Sequence, residues 1–318
     1  MHLQIIGGSG FIGTHLCKLL HNCRIDFKIL DIKISSLFQK KFIKTDITNF
    51  EILKKNIKKK SILINLAAIH SDDILVKENY YKVNVKGAKN ICRVSEKKGI
   101  TKIIFTSSVS VYGFANKLCN ESGKINPYND YGKSKYLAEK VFKTWQSKDP
   151  QKRCLVIIRP TVVFGEENRG NVYNLFKQIK SNFFFIIGNG NNIKSLAYVG
   201  NVVRFIKYSL NHSSGVHIYN YVDNPQLSIN QMIRLIKIYL KKNKNTLKIP
   251  YFIGLLVGFI FDAFSVLCNK KFTISSLRIR KFAANSSYLS SNMNNLNFKP
   301  RYNLKEALKK TIIHEFIK

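Results

Sequence analysis

The sequence predicts an α/β protein with a doubly wound parallel sheet and a smaller, mostly C-terminal lobe. Short apolar segments alternate with amphipathic helical segments as far as Arg159, which is typical of a parallel sheet covered by helices on both faces. A glycine-rich turn separates the first strand from the first helix. Beyond Pro160 the alternation is lost. We therefore expect a first domain over 1–160, with a return segment at about 194–222, and a second lobe over 161–318.

The first domain is predicted to contain six strands, each short and largely apolar. They are expected at residues 3–6, 26–31, 42–47, 61–68, 103–107 and 154–159. Helices are expected at residues 14–20, after the third strand as far as about residue 58, at residues 79–98 and around 131–135. Because ligands bind at the carboxyl ends of the strands in such sheets, the residues that follow the strands are the candidates for a functional site.

Three glycines follow the first strand in the pattern G-x-x-G-x-x-G. Gly7 permits a tight turn, Gly10 lets the backbone approach a pyrophosphate, and Gly13 lets the first helix pack against the strand. The free N–H groups and the dipole at the start of this helix favour anions. The strand before the glycines and the helix after them indicate a dinucleotide-binding turn.

A carboxylate ends the second strand at Asp31, 18 residues after Gly13. An acid in this place accepts hydrogen bonds from the adenine ribose and repels a 2′-phosphate, which favours NAD over NADP. Lys33 is close enough in sequence to leave NADP open as an alternative. The other interpretation of Asp31 is a polar residue that simply ends a strand.

Tyr131 and Lys135 are four residues apart and lie one turn from each other on a predicted helix. The pKa of tyrosine is ordinarily about 10, and a nearby ammonium favours the phenolate, so Tyr131 could act as an acid and base near pH 7. Ser108 follows the fifth strand and is predicted to hydrogen-bond the same substrate hydroxyl. Such a pair also occurs by chance on the solvated helices of a lysine-rich chain. The additional placement of Gly7 and Asp31 at strand ends favours a site.

Charge and composition limit the partners and the compartment. The chain of 318 residues has a formal net charge of +35 and 45% hydrophobic residues. Its lysines are dispersed and it contains no nucleic-acid-binding motif, so we expect no nucleic-acid partner and attribute the charge to genomic bias and an anionic membrane surface. The six cysteines show no paired spacing, and the N-terminus shows no signal peptide. These features predict buried thiols, a cytoplasmic protein and no metal site.

Together these motifs resemble the extended short-chain dehydrogenase/reductases, the Rossmann-like sugar-nucleotide epimerases and dehydratases. The resemblance runs along the whole chain through residues 7–13, 31, 65–68, 107–113, 131–135 and 159–160. It implies that NAD is the cofactor. The cofactor-binding residues that it implies are Gly7, Gly10, Phe11, Ile12, Gly13, Asp31, Asp46, Ile47, Ala67, Ala68, Tyr131, Lys135 and Pro160.

The residues after Ser108 distinguish the reactions of this family. Its hexose 4,6-dehydratases carry an acidic pair there to move protons, whereas this chain has Val109 and Ser110. Dehydration is therefore disfavoured. A 4-epimerase needs a cofactor, one acid/base group, a hydroxyl donor and room for a transient 4-keto sugar to turn over. The resemblance implies this reaction, with Tyr131, Lys135 and Ser108 as the catalytic residues.

The candidate substrate contacts lie in the second lobe, at Arg169, Asn171, Lys194 and Arg280. Lys194 takes the place where members of the family commonly carry an arginine for the substrate diphosphate, although lysine offers a point charge instead of a planar fork. The alternative for Arg169 and Asn171 is a loop that precedes a helix.

Residues 249–268 are unusual for the family, because every residue from 251 to 261 is apolar or glycine. The run is shorter than the ~20 residues needed to span a bilayer. We expect either an interfacial helix flanked by cations that hold anionic headgroups or a buried helix of the second lobe. The flanking lysines are Lys241, Lys242, Lys244, Lys248, Lys270 and Lys271.

Further motifs resemble a bacterial O-antigen subgroup of the family, whose members convert N-acetylglucosamine to N-acetylgalactosamine on undecaprenyl diphosphate. They lie at residues 67–73, 80–85, 168–175 and 194–201. The resemblance implies a lipid-linked N-acetylhexosamine as substrate, a peripheral location on the inner face of the cell membrane, and a homodimer. The alternatives are a soluble UDP-hexose or UDP-N-acetylhexosamine 4-epimerase, an NAD(P)-dependent reductase or dehydratase, and a non-catalytic NAD-sensing protein.

Overall fold

A seven-stranded parallel sheet forms the centre of the computed structural model, which describes residues 2–70, 76–113, 118–181, 184–243, 246–268, 272 and 275–317. Residues 71–73 of the predicted motif, and Lys244, Lys270 and Lys271 of the flanking lysines, lie outside these ranges. The strands of the sheet are β1 (Leu3–Ile6), β2 (Phe27–Asp31), β3 (Phe42–Lys44), β4 (Ile62–Asn65), β5 (Lys102–Thr106), β6 (Cys154–Pro160) and β7 (Gly215–Tyr221). Their order is β3-β2-β1-β4-β5-β6-β7, and each neighbouring pair is parallel.

Helices connect these strands and build much of the C-terminal half. They are α1 (Phe11–Asn22), α2 (Phe50–Asn56), α3 (Glu78–Tyr80), α4 (Gly87–Lys98), α5 (Asp130–Ser147), α6 (Asn171–Lys180), α7 (Val199–Tyr208), α8 (Ile229–Tyr239), α9 (Tyr251–Leu267), α10 (Ser276–Ala283) and α11 (Leu304–Ile312). A π-helical stretch, Tyr81–Lys86, joins α3 to α4, and a second one, Ile313–Ile317, extends α11. Short strands pair outside the main sheet: Val162–Phe164 with Leu196–Tyr198, Ile193–Lys194 with Leu227–Ser228, and Ile186–Ile187 with Lys248–Ile249.

Successive residues of the central strands pack into opposite layers of the core. Ile5 belongs to the cluster that includes apolar residues of α1 and α7, whereas Ile6 belongs to the cluster that includes α2, α4 and α5. The same alternation separates Ile29 from Leu30. This two-residue period is what a strand between two helical layers requires, and it confirms the predicted doubly wound α/β fold.

Several element ends differ from the prediction by one to three residues, and two of these differences have clear local reasons. β3 ends at Lys44, three residues earlier than predicted, because the chain turns where the Asp46 carboxylate accepts the N–H of Thr48 at 2.8 Å. α1 begins at Phe11, three residues before its predicted start, with Gly10 in extended conformation as its N-cap. Both differences are within the usual uncertainty of element ends that are predicted from sequence.

The C-terminal half shares its core with one face of the sheet. α6, α8 and α11 contribute Val172, Met232 and Leu308 to the same cluster as Ile5. β7, which follows α7, pairs with β6 along its whole length, from Gly215 beside Cys154 to Tyr221 beside Pro160. The edge strand β7 therefore comes from the C-terminal half of the chain, although it belongs to the main sheet.

The cysteines differ in their exposure. Cys17, Cys92 and Cys154 are buried, and all six cysteines are free thiols. Cys23 and Cys268 are exposed. The prediction of uniformly buried thiols is therefore wrong for these two, because each lies at the end of a helix where the chain reaches the surface.

Candidate active site

The glycine turn after β1 lies against the chain that follows β4. Gly7 has a φ of 78°, and a Cβ there would lie 2.5 Å from the Ala67 nitrogen. Glycine adopts this left-handed conformation without strain and alone leaves the necessary space. Gly13 is also required, because a Cβ there would lie 2.6 Å from the Gly7 carbonyl oxygen. These contacts bring three predicted cofactor residues, Gly7, Gly13 and Ala67, to one place at the carboxyl edge of the sheet.

The first turn of α1 starts directly from this glycine turn. Gly10 is the N-cap and offers no side-chain cap, and the first turn contains no acidic residue. Phe11 and Ile12, which belong to that turn, are both half-buried. The positive end of the helix dipole is therefore not neutralised by an acid of its own first turn, as a phosphate-binding helix start requires.

Asp31 lies at the rim of the glycine turn. Its Oδ2 accepts the backbone N–H of Ser9 at 3.0 Å, and its Oδ1 accepts that of Lys33 at 3.1 Å. An ionised carboxylate offers about four acceptor sites, so both oxygens can still accept hydrogen bonds from a ligand. The hydrogen bond from Ser9 also ties the end of β2 to the turn, which explains why an acid suits this strand end.

The other predicted cofactor residues lie at the same edge of the sheet. Asp46 and Ile47 follow β3, Ala68 follows β4, and Pro160 ends β6. Asp46 and Ala68 are half-buried, whereas Ile47 and Pro160 are buried. Ile47 packs closely against the start of α4, because a Cβ on Gly87 would lie 2.5 Å from its Cδ1.

Ser108 begins a short 3₁₀ turn, Val109–Tyr112, directly after β5. Its Oγ accepts the N–H of Ser110 at 3.1 Å and donates to the Ser110 Oγ at 3.0 Å. The side chain is 9% exposed. The predicted catalytic serine thus lies at the carboxyl end of a central strand. Its hydroxyl donates to the Ser110 hydroxyl and would be able to donate to a ligand instead.

α5 approaches this serine turn very closely. Asn129 caps the helix by accepting the N–H of Gly132 at 2.9 Å. A Cβ on Gly132 would clash with the carbonyl oxygen of Ser110. Because Tyr131 precedes Gly132 in the first turn of α5, the missing side chain brings the tyrosine's helical turn next to the Ser108 turn. Tyr131 is half-buried, and its ring centroid lies 6.4 Å from that of Tyr80.

Lys135 lies one turn further along α5 and is 2% exposed. Its Nζ donates to the Thr106 carbonyl oxygen at 2.5 Å and lies 4.3 Å from the Phe105 ring centroid. Burial lowers the pKa of Lys135 to about 7, although Glu139 raises it in part. The lysine therefore contacts β5 directly, on the strand that leads to Ser108, and is on the verge of losing its proton near neutral pH.

Sequence reasoning missed a buried ion pair beneath these residues. Glu139 is fully buried and pairs with Arg159 through two hydrogen bonds, from Nε to Oε1 at 2.8 Å and from Nη2 to Oε2 at 2.6 Å. Ser107 Oγ donates to the same carboxylate at 2.5 Å. The available signal is periodicity, since Glu139 follows Lys135 by four residues and therefore lies on the same helix face.

Asn84 is a second residue that was not predicted as part of the site, although its motif was noted. It lies in the π-helical stretch before α4 and is buried. Its Nδ2 donates to Ser134 Oγ at 2.9 Å and to the Ile69 carbonyl oxygen at 3.1 Å, and its Oδ1 accepts the Ile69 N–H at 2.9 Å. Asn84 thus joins the loop after β4 to the helix that carries Tyr131 and Lys135. π-Helical stretches often occur at functional sites.

Besides Ser108, four substrate contacts were predicted in the C-terminal half, and two of them are engaged with the protein itself. Arg169 donates to Glu315 Oε2 at 2.7 Å. Lys194 Nζ donates to the carbonyl oxygens of Lys281 at 2.7 Å and Ala284 at 2.5 Å, and burial lowers its pKa to about 8. In this structure both side chains therefore tie parts of the C-terminal half together.

The other two predicted substrate contacts are exposed. Asn171 is the first residue of α6, and Arg280 lies on α10 with its guanidinium carbon 5.5 Å from the Phe259 ring centroid. In the parts of the chain that the structure describes, no group of three or more His, Cys, Asp or Glu residues could hold a metal ion.

A comparison with protein families identifies the chain. The model of the 3-beta hydroxysteroid dehydrogenase/isomerase family matches residues 4–208, which extend from β1 to the end of α7. The chain belongs to this family. Together with the relatives below, this match confirms the resemblance to the extended short-chain dehydrogenase/reductases.

Several relatives of this dehydrogenase/reductase family member are named as 4-epimerases. The N-acetyl-alpha-D-glucosaminyl-diphospho-ditrans,octacis-undecaprenol 4-epimerase of Escherichia coli O157:H7 is 42% identical over 99% of this chain and 96% of that relative. A putative UDP-glucose 4-epimerase of Methanocaldococcus jannaschii is 31% identical over 74% of this chain and 81% of the relative. The solved UDP-glucose 4-epimerase of Thermotoga maritima has a TM-score of 0.77 at 19% identity, covering 99% of this chain and 98% of that one. The last likeness shows a shared fold.

Proposed function

We propose that this protein is an NAD-dependent 4-epimerase that interconverts N-acetylglucosamine and N-acetylgalactosamine on undecaprenyl diphosphate, through a transient 4-keto sugar, for O-antigen or another surface polysaccharide. The observation that carries the proposal is the 42% identity with the Escherichia coli undecaprenol-linked 4-epimerase over nearly the whole of both chains. The arrangement of Ser108, Tyr131 and Lys135 at one edge of the sheet supports the same reaction.

A soluble epimerase of UDP-glucose or UDP-N-acetylglucosamine is the second candidate. It is favoured by the 31% identity with the putative UDP-glucose 4-epimerase of Methanocaldococcus jannaschii. That match covers 74% of this chain, against 99% for the undecaprenol-linked relative. The lower identity and coverage make the lipid-linked sugar the better-supported substrate.

The residues around the glycine turn fit a dinucleotide. A Cβ on Gly10 would meet only the Gly7 carbonyl oxygen, at 3.4 Å, so the turn leaves room beside Gly10, and the Asp31 oxygens at the rim keep acceptor sites for ribose hydroxyls. The N–H groups at the start of α1 would hold the pyrophosphate. Bound there, NAD would supply the acceptor for the C4 hydride of the sugar and would return it to the opposite face.

Three side chains would manage the proton and the sugar oxygen. Tyr131 would take the proton from O4 of the sugar as C4 is oxidised, and would return it when C4 is reduced. Ser108 would donate a hydrogen bond to the same oxygen in place of its bond to Ser110. Lys135 in its ammonium form would favour the tyrosine phenolate. Since the pKa of Lys135 is lowered to about 7, this help would weaken as the pH rises above neutrality.

The diphosphate of the substrate would meet the cations of the C-terminal half. We assign this contact first to Arg280, because Arg169 and Lys194 already serve Glu315 and two carbonyl oxygens. Asn171 is kept as a candidate sugar contact at the exposed start of α6. An Arg280→Ala variant should raise KM for the sugar substrate with little change in kcat, since it would lose binding that substrate and transition state share.

The paired substrate assay tests the proposed function. Purified protein is given undecaprenyl-diphospho-N-acetylglucosamine in one reaction and UDP-N-acetylglucosamine in another, with NAD in both. We expect N-acetylgalactosamine to form from the lipid-linked sugar alone. Equilibration of the UDP-sugar alone would support the second candidate. Net consumption of a reduced nicotinamide or loss of water from the sugar would indicate a reductase or a dehydratase.

The outer face of α9 supports a membrane-surface location. The helix packs inward through Gly254 and Gly258, where an added Cβ would lie 2.8 Å from Ile187 and from Ser276, respectively. On the opposite side, large apolar side chains point to solvent, with Phe252 70% exposed. The other strongly exposed members of this face are Ile253, Leu256, Phe259, Ile260, Phe264 and Leu267. These exposures disagree with the alternative of a buried helix.

The charge around α9 has the sign that an anionic leaflet would attract. Residues 234–281 contain eleven lysines and arginines and a single acid, Asp262. Within the described residues, no helix is both long and apolar enough to pass through a bilayer. We therefore propose that the apolar face of α9 rests in the headgroup region of the inner leaflet, with its basic neighbours on anionic lipids. A lipid-linked sugar would then be presented where its lipid resides.

A further inference from the structure

A fully buried ion pair connects α5, the helix of Tyr131, to β6, and its carboxylate also accepts a hydrogen bond from Ser107, the residue before Ser108. Glu139 and Arg159, here called the Glu139–Arg159 pair, are 0% and 3% exposed at their side chains. Arg159 donates in addition to the Tyr112 hydroxyl at 2.6 Å, and that hydroxyl donates to Asn220 Oδ1 at 2.8 Å. The chain of hydrogen bonds thus runs from Ser107 through the pair and on to β7.

Stability alone does not account for such a pair. Moving two charges out of water costs several kcal/mol per ion, and well-packed apolar residues often replace a buried pair without loss of stability. Trp145 and Phe142 show that α5 readily buries large apolar side chains in the same layer. A carboxylate at Glu139 therefore calls for a role that an apolar residue could not fill.

The geometry shows what the carboxylate does. The end of β5 is held to one face of α5 at two successive points, by Lys135 Nζ on the Thr106 carbonyl oxygen and by Glu139 on the Ser107 hydroxyl. Ser108 follows Ser107, and Tyr131 lies one turn before Lys135. The two hydrogen bonds therefore fix the separation of the two side chains that would share the sugar O4.

The Glu139 carboxylate also acts on Lys135, because its negative charge raises the pKa of the lysine. In the described part of the chain, the groups that face Lys135 are Glu139 on its own helix, the Thr106 carbonyl and Phe105 ring on β5, and behind Glu139 the Arg159 guanidinium on β6. Arg159 binds the same carboxylate through two hydrogen bonds. Glu139 therefore raises the pKa of Lys135 only in part, and burial, which lowers that pKa, has the larger effect.

We propose that Glu139, held in place by Arg159, is a positioning residue of this site: it aligns Ser108 with Tyr131 and sets the charge state of Lys135. The inference rests on the proposed epimerase function for its kinetic consequence, but its electrostatic consequence is independent of any activity. Glu139 does not touch the reacting atoms and acts through Ser107 and Lys135.

The decisive variant is Glu139→Gln, which keeps the shape and an acceptor for Ser107 but removes the charge. We expect kcat to fall at least ~10-fold with KM within about twofold, as for a misaligned acid/base group. Because Lys135 loses its nearest anion and Arg159 is left unpaired, the alkaline limb of the kcat profile should move about one pH unit lower.

Two further variants keep the test decisive if Glu139→Gln folds poorly. Ser107→Ala retains both charges, so kcat should fall with an unchanged pH profile. Asp223→Asn removes another buried carboxylate, which accepts the Asn201 amide at 2.9 Å, and should cost stability without moving the profile. A wild-type kcat in Ser107→Ala, or equal shifts in Glu139→Gln and Asp223→Asn, would overturn the proposal.

A measurement without substrate separates this inference from the proposed function. The free energy of unfolding is followed against pH, because the rise that Lys135 causes begins at its folded pKa. In Glu139→Gln this rise should begin about one pH unit lower than in wild type. An unchanged onset would contradict the inference even for an active enzyme, whereas a shifted onset in a protein that converts neither sugar would count against the function alone.

Discussion

The burial of Lys135 favours its neutral form, whereas its proposed role needs the charged form. Burial lowers its pKa to about 7, whereas the charged form is the one that would favour a tyrosine phenolate one helical turn away. The Thr106 carbonyl oxygen and the Phe105 ring partly replace the water that the ammonium has lost. The site would therefore work best near neutral pH, where Lys135 still holds its proton for part of the time.

The pH dependence of stability tests this view of Lys135. Its folded pKa of about 7 lies below the unfolded value, so between about pH 7 and 10 the unfolded chain binds more protons, and stability rises with pH. Relative to Lys135→Met, the free energy of unfolding of wild type should rise by up to about 1.4 kcal/mol per pH unit above pH 7. Chemical denaturation at several pH values measures this difference. Parallel curves for the two proteins would refute the lowered pKa.

Tyr131 is the residue on which the proposed chemistry depends. Tyr131→Phe should lower kcat at least ~100-fold, because the phenol that moves the O4 proton is gone. Tyr136→Phe is the matched control, since Tyr136 lies on the same helix, is also half-buried and keeps the ring that faces the Lys140 ammonium at 4.8 Å. Initial rates of both variants give the answer, and equal losses in the two would remove Tyr131 from the mechanism.

At the scale of single residues, the sequence predicted contacts between residues that are close in the chain but not those between distant residues. Tyr131 and Lys135 were predictable as neighbours because helical geometry alone sets their separation. The partner of Glu139 was not, since Arg159 reaches it only because α5 packs against β6 in the folded protein. The pairing of Arg169 with Glu315 was not predictable either, since the two residues are 146 positions apart in the sequence.

The approach of α5 to the serine turn depends on a glycine. Gly132→Ala would place a methyl group against the Ser110 carbonyl oxygen, and overpacking of this kind costs about 1–3 kcal/mol. We expect a lower melting temperature and a loss of activity out of proportion to it, because the Tyr131 turn would move away from Ser108. Lys133→Ala, an exposed change on the next residue, is the control. Thermal unfolding and kcat are measured together, and an unaffected kcat would show that the close approach is unimportant.

The exposed face of α9 gives a prediction for vesicle binding. Replacing Phe252, Leu256 and Phe264 with Ser should weaken binding to phosphatidylglycerol vesicles at least ~100-fold, since each side chain contributes up to about 1.5–3 kcal/mol when it leaves water. Co-sedimentation measures the loss.

The matched control replaces exposed apolar residues outside residues 234–281 with Ser, at Ile52, Val162 and Val216. This variant should bind vesicles like wild type. If both triple variants bind equally well, or if the wild type does not bind anionic vesicles at all, α9 does not rest on the membrane.

At the scale of elements, the apolar run predicted the α9 helix but not its orientation. Its sequence is apolar on all sides, so periodicity could not indicate which face packs inward. The structure decides this through Gly254 and Gly258, which allow close packing on one side and leave the larger residues outside. The order of the sheet was more predictable, because alternating strands and helices leave few ways to build a doubly wound sheet.

Over the whole molecule, the net charge of +35 has more than one source. Lysines occur throughout the chain, as genomic bias would produce, yet residues 234–281 combine eleven basic side chains with the exposed apolar face of α9. A membrane partner explains this combination better than charge alone, since binding to an interface needs both contributions. The proposed homodimer is a separate expectation, which light scattering of the purified protein would test.

The central claim is that C4 of a lipid-linked N-acetylhexosamine gives up its hydrogen as hydride and receives it back on the other face. Undecaprenyl-diphospho-N-acetylglucosamine with deuterium at C4 tests this most directly, with the product analysed by mass spectrometry and NMR. We expect undecaprenyl-diphospho-N-acetylgalactosamine that retains the deuterium at C4 and gains none from solvent. Inversion with loss of the label to water, or no inversion of the lipid-linked sugar, would contradict the account.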